Sequence, residues 1–220
     1  MGSMAIFKDR VDAGRTLAKE LSKYASRPDV LILALPRGGV PVAYEVAKTL
    51  NVKMDVFIVR KLGVPGYEEL AMGAIASDNI RVLNEDVVRS FRISEEVIEK
   101  VAAKELRELE RREKAYRGDR PKPEINNKIV ILIDDGLATG ATMRAAAAAL
   151  RTKNPAKIVI AVPTAAADTC ESFEGKVDEI ICVATPEPFY GVGAWYADFS
   201  QTTDKEVCDL LEKAKNLNSR

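Results

Sequence analysis

The sequence of 220 residues has no histidine, three cysteines and one tryptophan. Without an imidazole, the chain cannot use Ser-His-Asp or Cys-His catalysis, and it lacks the commonest zinc ligand. Any catalysis must then rely on carboxylates, lysine, tyrosine, backbone amides or a hard metal ion. The cysteines, Cys170, Cys182 and Cys208, are odd in number and form no CxxC pair. We therefore expect reduced, half-buried thiols rather than a disulfide framework or a zinc site.

Two further features are missing: an excess of either charge and a long apolar run. The 33 lysines and arginines balance 33 aspartates and glutamates, so we do not expect a broad basic face for nucleic acid. No apolar stretch reaches the roughly 18 residues needed to span a bilayer, and no charged-then-apolar leader is seen. We therefore predict a cytoplasmic protein that binds neither nucleic acid nor membrane, with assembly into a homo-oligomer left open. A small cluster of cations for a phosphorylated metabolite remains compatible with zero net charge.

Short β-branched, apolar runs recur along the chain, and helical stretches lie between most of them. The runs are nearly continuous in hydrophobicity, which is typical of parallel strands covered on both faces. The alternation predicts one α/β domain over residues 4–220, a doubly wound and mostly parallel sheet with helices on both faces. The predicted strands are 30–35, 56–59, 129–133, 158–162 and 180–183, and the predicted helices between them are 41–50, 142–151 and 165–173.

Two other segments complete the predicted fold. Residues 71–76 and 80–83, separated by Ser77-Asp78-Asn79, indicate a hairpin, which we expect at an antiparallel sheet edge. Residues 94–116 form a charge-dense helix opened by Ser94. Its apolar positions lie on a narrow stripe, so we expect a solvated helix packed along one face rather than a partner-binding arm.

The segment 131–142, with the sequence ILIDDGLATGAT, carries the clearest chemistry. It places Asp134 and Asp135 after an apolar strand, at the edge of the sheet where ligands collect in α/β folds. Adjacent carboxylates suit a vicinal diol such as the 2- and 3-hydroxyls of ribose, and they also suit Mg²⁺. Small and hydroxyl-bearing residues before a helix N-terminus let backbone N–H groups close on a phosphate. These residues are Ala138, Thr139, Gly140, Ala141 and Thr142.

This motif resembles the loop that binds 5-phosphoribosyl 1-pyrophosphate (PRPP) in type I phosphoribosyltransferases. The resemblance implies that Asp134 and Asp135 contact the ribose and take part in catalysis and Mg²⁺ binding, while residues 138–142 cradle the 5-phosphate. It also implies the fold of that family, with a small hood from the N-terminal segment and residues 185–201. Paired aspartates at a strand end also occur in receiver-like and phosphatase-like domains, but those folds do not require the Thr-Gly-Ala-Thr run.

A second loop follows the first predicted strand and reads Leu-Pro-Arg-Gly-Gly. Its glycines permit close backbone approach, and Arg37 is a forked donor suited to a diphosphate. The loop resembles the pyrophosphate loop of the same family, which implies that Arg37, Gly38 and Gly39 bind pyrophosphate. Because that loop often carries a cis bond before its basic residue, we expect the Pro36-Arg37 peptide to be cis.

Residues 60–69 are rich in glycine, proline and charge, which predicts a mobile loop. The resemblance implies the flexible loop that closes over PRPP, with Lys61 on the pyrophosphate and Glu68 or Glu69 handling the proton of the base. The alternative for the glutamates is a solvated approach to a hairpin. Ala138 stands where hypoxanthine-guanine enzymes carry an acidic general base, so proton transfer must come from this loop, the substrate or water.

Aromatic residues are scarce but crowd into residues 189–199. The segment is similar to the base-binding region of purine phosphoribosyltransferases, which implies a planar base stacked on Phe189 or Trp195, with Asp198 accepting a ring N–H. The alternative is a packed aromatic cap over the end of the sheet.

Taken together, these residues predict a phosphoribosyltransferase that moves the 5-phosphoribosyl group of PRPP to a nitrogen base, purine-like by preference, and releases pyrophosphate. Two alternatives remain from other classes, namely a PRPP-binding sensor or regulator without catalysis and a receiver-like signalling domain. The absence of a helix-turn-helix pattern or basic arm speaks against a DNA-binding regulator.

Overall fold

The structure is a computed structural model that describes residues 5–77, 80–118, 120–215 and 217, with the side chain of Glu69 excepted. Its strands are β1 (Val30–Ala34), β2 (Lys53–Val56), β3 (Val59–Val64), β4 (Tyr67–Ala76), β5 (Ile80–Leu83), β6 (Ile129–Ile133), β7 (Lys157–Thr164) and β8 (Glu179–Ala184). Its α-helices are α1 (Arg10–Glu20), α2 (Gly39–Leu50), α3 (Glu85–Ser90), α4 (Glu95–Arg117), α5 (Ala141–Arg151), α6 (Ala167–Glu171) and α7 (Asp204–Lys215).

Five strands form a wholly parallel sheet in the order β2-β1-β6-β7-β8. Successive side chains of a strand point to opposite faces, so Ile32 and Ile131 join the core under α1, α2, α4 and α7. Leu33 and Leu132 join a second core under α5. Both faces are therefore covered, which confirms the doubly wound α/β fold of the type I phosphoribosyltransferase kind. Chain order reverses between β1 and β6, the position where ligands bind in such sheets.

The antiparallel strands are arranged differently from the expectation. The hairpin of β4 and β5 exists, but with β3 it forms a separate three-stranded sheet in the order β3-β4-β5 instead of an edge of the parallel sheet. The predicted strand 56–59 is wrong, because β2 ends at Val56 and β3 begins at Val59. Phe57 and Ile58 between them are buried. An unbroken apolar run therefore hides the point where the chain leaves one sheet for another.

Helix α4 follows the expectation from its sequence. The hydroxyl of Ser94 accepts a hydrogen bond from the N–H of Val97, and the helix ends at Arg117, followed by Gly118 with a φ of +58°. Ile98 and Leu109 are buried on one side while most charged residues face solvent, as predicted. Across the residues that the structure describes, no helix combines the length and apolarity needed to cross a bilayer.

The cysteines correct the sequence prediction. Cys170 and Cys182 form a disulfide that joins α6 to β8, with Cα atoms 6.8 Å apart, so the expectation of free thiols is wrong for this pair. Cys208 is free and half-buried, as expected. The pairing requires the short helix α6 to fold back beside β8, and cysteine spacing alone does not reveal that fold. Helix α6 is also shorter than the predicted 165–173.

A charged cluster joins β7 and β8, at one edge of the parallel sheet, to the segment that follows α1. Glu179 accepts hydrogen bonds from Lys157 at 2.6 Å, Lys23 at 2.6 Å and Tyr24 at 2.7 Å. Burial raises the pKa of this carboxyl, but the three donors outweigh burial and bring the pKa from 4.5 down to about 2. A carboxyl with a depressed pKa stabilises the fold above its unfolded pKa, and that contribution is lost as the pH falls towards the folded value.

We predict that Glu179→Gln lowers the free energy of unfolding by about 2 kcal/mol at neutral pH, since the neutral amide loses the ionic part of three hydrogen bonds. The difference from the parent should shrink steadily as the pH falls from 4.5 towards 2. Urea denaturation across this range measures it, with Glu171→Gln at an exposed position as the control. A difference that stays constant with pH would contradict the charge-based account.

Candidate active site

The two predicted ligand loops meet at the carboxyl edge of the parallel sheet. The arginine loop (residues 36–39) follows β1, and the acidic loop (residues 134–142) follows β6. Ala34 and Ile133 are register partners, and the N–H of Leu35 donates to the carbonyl of Ile133 at 2.9 Å. Both loops therefore leave the sheet side by side.

Glycine is required where the loops touch. A Cβ on Gly38 would lie 2.0 Å from Oδ2 of Asp135, and a Cβ on Gly39 would lie 2.6 Å from the carbonyl oxygen of Ile133. Both distances are far below van der Waals contact, so any side chain would push the acidic loop aside. The peptide between Pro36 and Arg37 is cis, as expected. These contacts place the backbone of the arginine loop directly against the carboxylates.

The paired acids have perturbed electrostatics. Asp134 accepts a hydrogen bond from the N–H of Asp135 at 2.9 Å. Burial, and next the charge of Asp135, raise the pKa of Asp134 well above its ordinary value. Burial also raises the pKa of Asp135, although the nearby guanidinium of Arg10 opposes the rise. Two carboxyls in such a position are primed for a partner that supplies positive charge or hydrogen-bond donors.

Arg10 is the partner that the sequence did not reveal. Its Nε and Nη2 lie 2.9 and 2.8 Å from Oδ2 of Asp135, and its Nη1 donates to the carbonyl of Ser200 at 2.7 Å. Its guanidinium carbon lies 4.0 Å from the centre of the Phe199 ring. The side chains of Arg10 and Asp135 are 11% and 15% exposed, so solvent screens this ion pair only weakly. Arg10 begins α1, 125 residues before Asp135, and no local motif marks it.

The rest of the acidic loop surrounds a small space. A cavity of about 180 Å³ is lined by residues 136–143 together with Asp134 and Val192. Gly140, with a φ of +67°, directly precedes α5, so the helix begins at this cavity. The hydroxyl of Thr169 donates to the carbonyl of Ala138 at 2.6 Å, which fixes the loop from α6. Thr139 and Thr142 are exposed, and Ala141 is half-buried. Small residues at a helix start suit an anion such as a phosphate.

The segment 60–69 is a hairpin rather than the predicted loop. Strands β3 and β4 meet at a turn where Gly66 has a φ of +82°, and Glu68 accepts a hydrogen bond from the N–H of Gly66 at 3.2 Å. Lys61 is half-buried in β3, while Glu68 is exposed. Both line a cavity that Pro36 and Thr142 also line. The side chain of Glu69 lies outside the described residues, so its predicted role stays a prediction.

The Arg37 side chain lies near the start of α7. Its Nη1 lies 3.7 Å from Oδ1 of Asp204, which also accepts a hydrogen bond from the hydroxyl of Tyr116 at 2.6 Å. Asp204 begins α7 and Tyr116 lies near the end of α4, so distant elements orient this guanidinium. Sequence spacing gives no indication of either contact.

The aromatic segment packs inward at Trp195 and Tyr196, while Tyr190 and Phe199 are exposed. Trp195 is 5% exposed, and its ring centre lies 6.3 Å from that of half-buried Phe189. The hydroxyl of Tyr196 donates to the carbonyl of Asp135 at 2.6 Å. Asp198 is exposed, and the backbone N–H of Ser200 donates to its carboxylate and lowers its pKa. The segment thus forms a packed cap, and base stacking on Phe189 or Trp195 stays a prediction.

The N-terminal segment completes this cap. The N–H of Phe7 donates to the carbonyl of Trp195 at 3.0 Å, and the N–H of Ala197 donates to the carbonyl of Phe7 at 2.9 Å. The rings of Phe7 and Tyr196 lie 5.5 Å apart. The two segments predicted to form a hood are therefore in direct contact, and they reach the acidic loop through Arg10 and Tyr196.

Comparison with known proteins agrees with this geometry. The family model described as the phosphoribosyl transferase domain matches residues 4–185. The chain therefore belongs to the phosphoribosyltransferase family.

Its relatives extend the comparison. Two Mycobacterium tuberculosis proteins, from strains CDC 1551 / Oshkosh and ATCC 25618 / H37Rv, each named "Putative phosphoribosyl transferase", are 46% identical to it over 211 residues. The matched region is 96% of this chain and 47% of each relative, so the chain spans about half the length of the curated relatives it matches.

Two solved structures share the fold. The crystal structure of TT1426 from Thermus thermophilus is 38% identical, with a TM-score of 0.86 over 94% of this chain and 98% of that one. The AQ2163 protein from Aquifex aeolicus is 16% identical, with a TM-score of 0.51 over 86% and 84% of the two chains.

We predict that Arg10→Met lowers the free energy of unfolding by roughly 3 kcal/mol, because it leaves the weakly solvated carboxylate of Asp135 without its counter-charge. In a double-mutant cycle with Asp135→Asn, the two effects should be strongly non-additive, since both variants remove the same pair. Urea denaturation measures each corner of the cycle. Lys19→Met, at an exposed position of α1, is the control. Strictly additive effects would show that the pair is not coupled.

Proposed function

We propose that this phosphoribosyltransferase transfers the 5-phosphoribosyl group from PRPP to a nitrogen base and releases pyrophosphate. The observation that carries the proposal is the contact between the arginine loop and the acidic loop, where Gly38 and Asp135 approach too closely for any intervening side chain. That contact brings the carboxylate pair of Asp134 and Asp135, the cavity of about 180 Å³ and the arginine loop to one edge of the sheet, where we propose that they bind the ribose diol, the 5-phosphate and the diphosphate.

Each part of PRPP has a proposed partner. Asp134 and Asp135 would accept the hydrogen bonds of the ribose 2- and 3-hydroxyls, since carboxylates take two donors well. The cavity of about 180 Å³ before α5 would take the 5-phosphate on backbone N–H groups of residues 138–142. Arg37, with the backbone of Gly38 and Gly39, and Lys61 would face the pyrophosphate.

The residues also fit Mg²⁺. Carboxylate oxygens are the ligands that this ion prefers, and it commonly uses one or two of them together with substrate phosphates and water. Within the described residues no cluster of three or more His, Cys, Asp or Glu side chains could hold a metal by itself. Asp134 and Asp135 would therefore hold Mg²⁺ only together with PRPP, where its charge would neutralise the pyrophosphate.

In the proposed reaction the bond from ribose C1 to pyrophosphate breaks and a bond to a base nitrogen forms. Positive charge would develop on the ribose ring as in glycoside hydrolysis, and the carboxyl groups of Asp134 and Asp135 would stabilise that charge. Ala138 offers no acid beside the base, so the base proton would pass to Glu68, to Glu69 or to solvent. The aromatic cap and the hairpin of β3 and β4 would keep water away from the positively charged ribose.

For the acceptor we propose a purine-like base, a choice supported by Phe189, Trp195 and Asp198. Phe189 is only partly buried, and Asp198 is exposed, so each is accessible to a planar ligand with an N–H donor. This reaction would serve nucleotide salvage in the cytoplasm, in a monomer or a homo-oligomer.

We predict that the Asp134→Asn, Asp135→Asn double variant loses Mg²⁺-PRPP affinity by roughly 30-fold or more, since it removes charge-assisted hydrogen bonds at the ribose. Isothermal titration calorimetry on the folded variant measures the loss. Asp209→Asn, an exposed position on α7, is the control and should bind like the parent. Unchanged affinity in the double variant would sink the assignment of the acidic loop.

Pyrophosphate release with a panel of purine and pyrimidine bases, in the presence of PRPP and Mg²⁺, tests catalysis directly. We predict release with at least one purine-like base and a reduced rate for Phe189→Ala, because stacking on an aromatic ring contributes about 1 kcal/mol. Tyr190→Ala, at a neighbouring exposed ring, is the control. If the chain binds PRPP tightly but releases pyrophosphate with none of the bases, the result would instead support a PRPP-binding sensor without catalysis.

A further inference from the structure

A second cavity, of about 590 Å³, opens beside both ligand loops. Pro36 of the arginine loop and Thr142 of the acidic loop form one side of it. The hairpin of β3 and β4 forms another side of the cavity. Helix α4 closes the cavity with Val101, Lys104, Glu105 and Arg112. One face of helix α4 therefore lines this cavity beside the candidate active site instead of facing open solvent.

The charges around this cavity are mostly positive. Arg60, Lys61, Lys104 and Arg112 line it, against the two carboxylates of Glu68 and Glu105. Arg60 and Glu105 neutralise each other through contacts of 2.6 and 2.8 Å, which also hold α4 against β3. Outside that pair, the described side chains of the lining carry three positive charges and one negative charge, and Arg112 is also paired with Glu108, which is not among the lining residues. Such a surface attracts a multiply charged anion.

The two cations on α4 are available to a ligand. Lys104 is exposed and makes no hydrogen bond or ion pair with the other described residues. Arg112 donates from Nε to Glu108 at 2.7 Å, and no other hydrogen bond of its guanidinium occurs within the described residues. Its two terminal amino groups are therefore free to form the forked contact that a phosphate accepts.

Arg112 also lies near the arginine loop. Arg112 lies one turn before Tyr116 on α4. The hydroxyl of Tyr116 donates to Oδ1 of Asp204 at 2.6 Å, and Nη1 of Arg37 lies 3.7 Å from the same oxygen. A short chain of contacts therefore links this part of α4 to the residue expected to hold pyrophosphate.

We propose that α4 contributes Lys104 and Arg112 as ligands of the diphosphate group, so that this cavity holds the pyrophosphate of PRPP and, after transfer, the released product. The inference rests on the proposed function, because it assigns residues to the leaving-group side of the same site. It changes the role of α4, which the sequence indicated only as a solvated helix. It also adds two phosphate ligands from outside both loops.

The test uses the full chain with inorganic pyrophosphate and Mg²⁺, measured by isothermal titration calorimetry. Lys104→Gln with Arg112→Gln should weaken pyrophosphate binding by roughly 30-fold, since each cation supplies charge-assisted hydrogen bonds. PRPP affinity should fall in parallel. Ribose 5-phosphate carries no diphosphate, so its affinity should stay within about threefold of the parent.

The controls separate local charge from general charge and from folding. Arg107→Gln with Lys114→Gln removes the same charge from exposed positions of α4 that do not line the cavity, and it should bind pyrophosphate like the parent. Lys104→Arg with Arg112→Lys keeps both cations and should retain most of the affinity. Ribose 5-phosphate binding reports that each variant is folded.

The possible results lead to different conclusions. A selective loss of pyrophosphate and PRPP binding in the first double variant supports the inference. Pyrophosphate affinity within about threefold of the parent in that variant overturns it and leaves the proposed function standing. An equal loss in the Arg107 and Lys114 control also overturns it, because the effect is then one of overall charge. If the parent chain binds neither PRPP nor pyrophosphate, that result overturns both this inference and the proposed function.

Discussion

The distance of 2.0 Å between Oδ2 of Asp135 and the position that a Cβ on Gly38 would occupy is the constraint on which the site depends. It arises because β1 and β6 are parallel neighbours in register, so the loops that follow them emerge together. Glycine is the one residue whose backbone permits this approach without displacing the carboxylate. The loop contact then fixes the spacing between whatever the acids bind and whatever the arginine loop binds. For a ligand with a ribose and a diphosphate, that spacing is the main requirement of recognition.

The acids themselves depend on both ends of the chain. Arg10 comes from the first helix and makes an ion pair with Asp135, while Ser200 and Phe199 hold the guanidinium in place. Tyr196 adds a hydrogen bond to the backbone of Asp135. The segments that cap the site therefore also fix one of its carboxylates. Under the proposed function, a change in the cap would alter ribose binding as well as base binding.

The sequence predicted the parts of this protein that are local. Continuous apolar runs revealed the parallel strands, because burial on both faces leaves no polar alternation. The residue order in the two loops indicated the ligand chemistry, because small residues and paired acids act within a few positions of one another. Even the cis peptide at Pro36-Arg37 followed from that local resemblance.

Contacts that depend on tertiary packing were not predictable from the sequence. The pair of Arg10 and Asp135 joins residues 125 positions apart, and the disulfide of Cys170 and Cys182 requires α6 to fold back beside β8. Hydrophobicity could not separate β2 from β3, since Phe57 and Ile58 are buried without belonging to either strand. Composition favoured a loop at 60–69, but pairing between β3 and β4 outweighed the local glycine and proline.

The two sides of the site differ in charge, and this difference bears on the order of events in the proposed reaction. Cations from the hairpin of β3 and β4 and from α4 line the cavity that we propose for the leaving pyrophosphate. The side of the acceptor has a packed aromatic cap and the exposed carboxylate of Asp198. Stabilising the leaving group more than the nucleophile favours bond breaking ahead of bond making, which places positive charge on the ribose. Under the proposed function, the acids held by the loop contact would lie beside that charge, and the same constraint would then serve both binding and transfer.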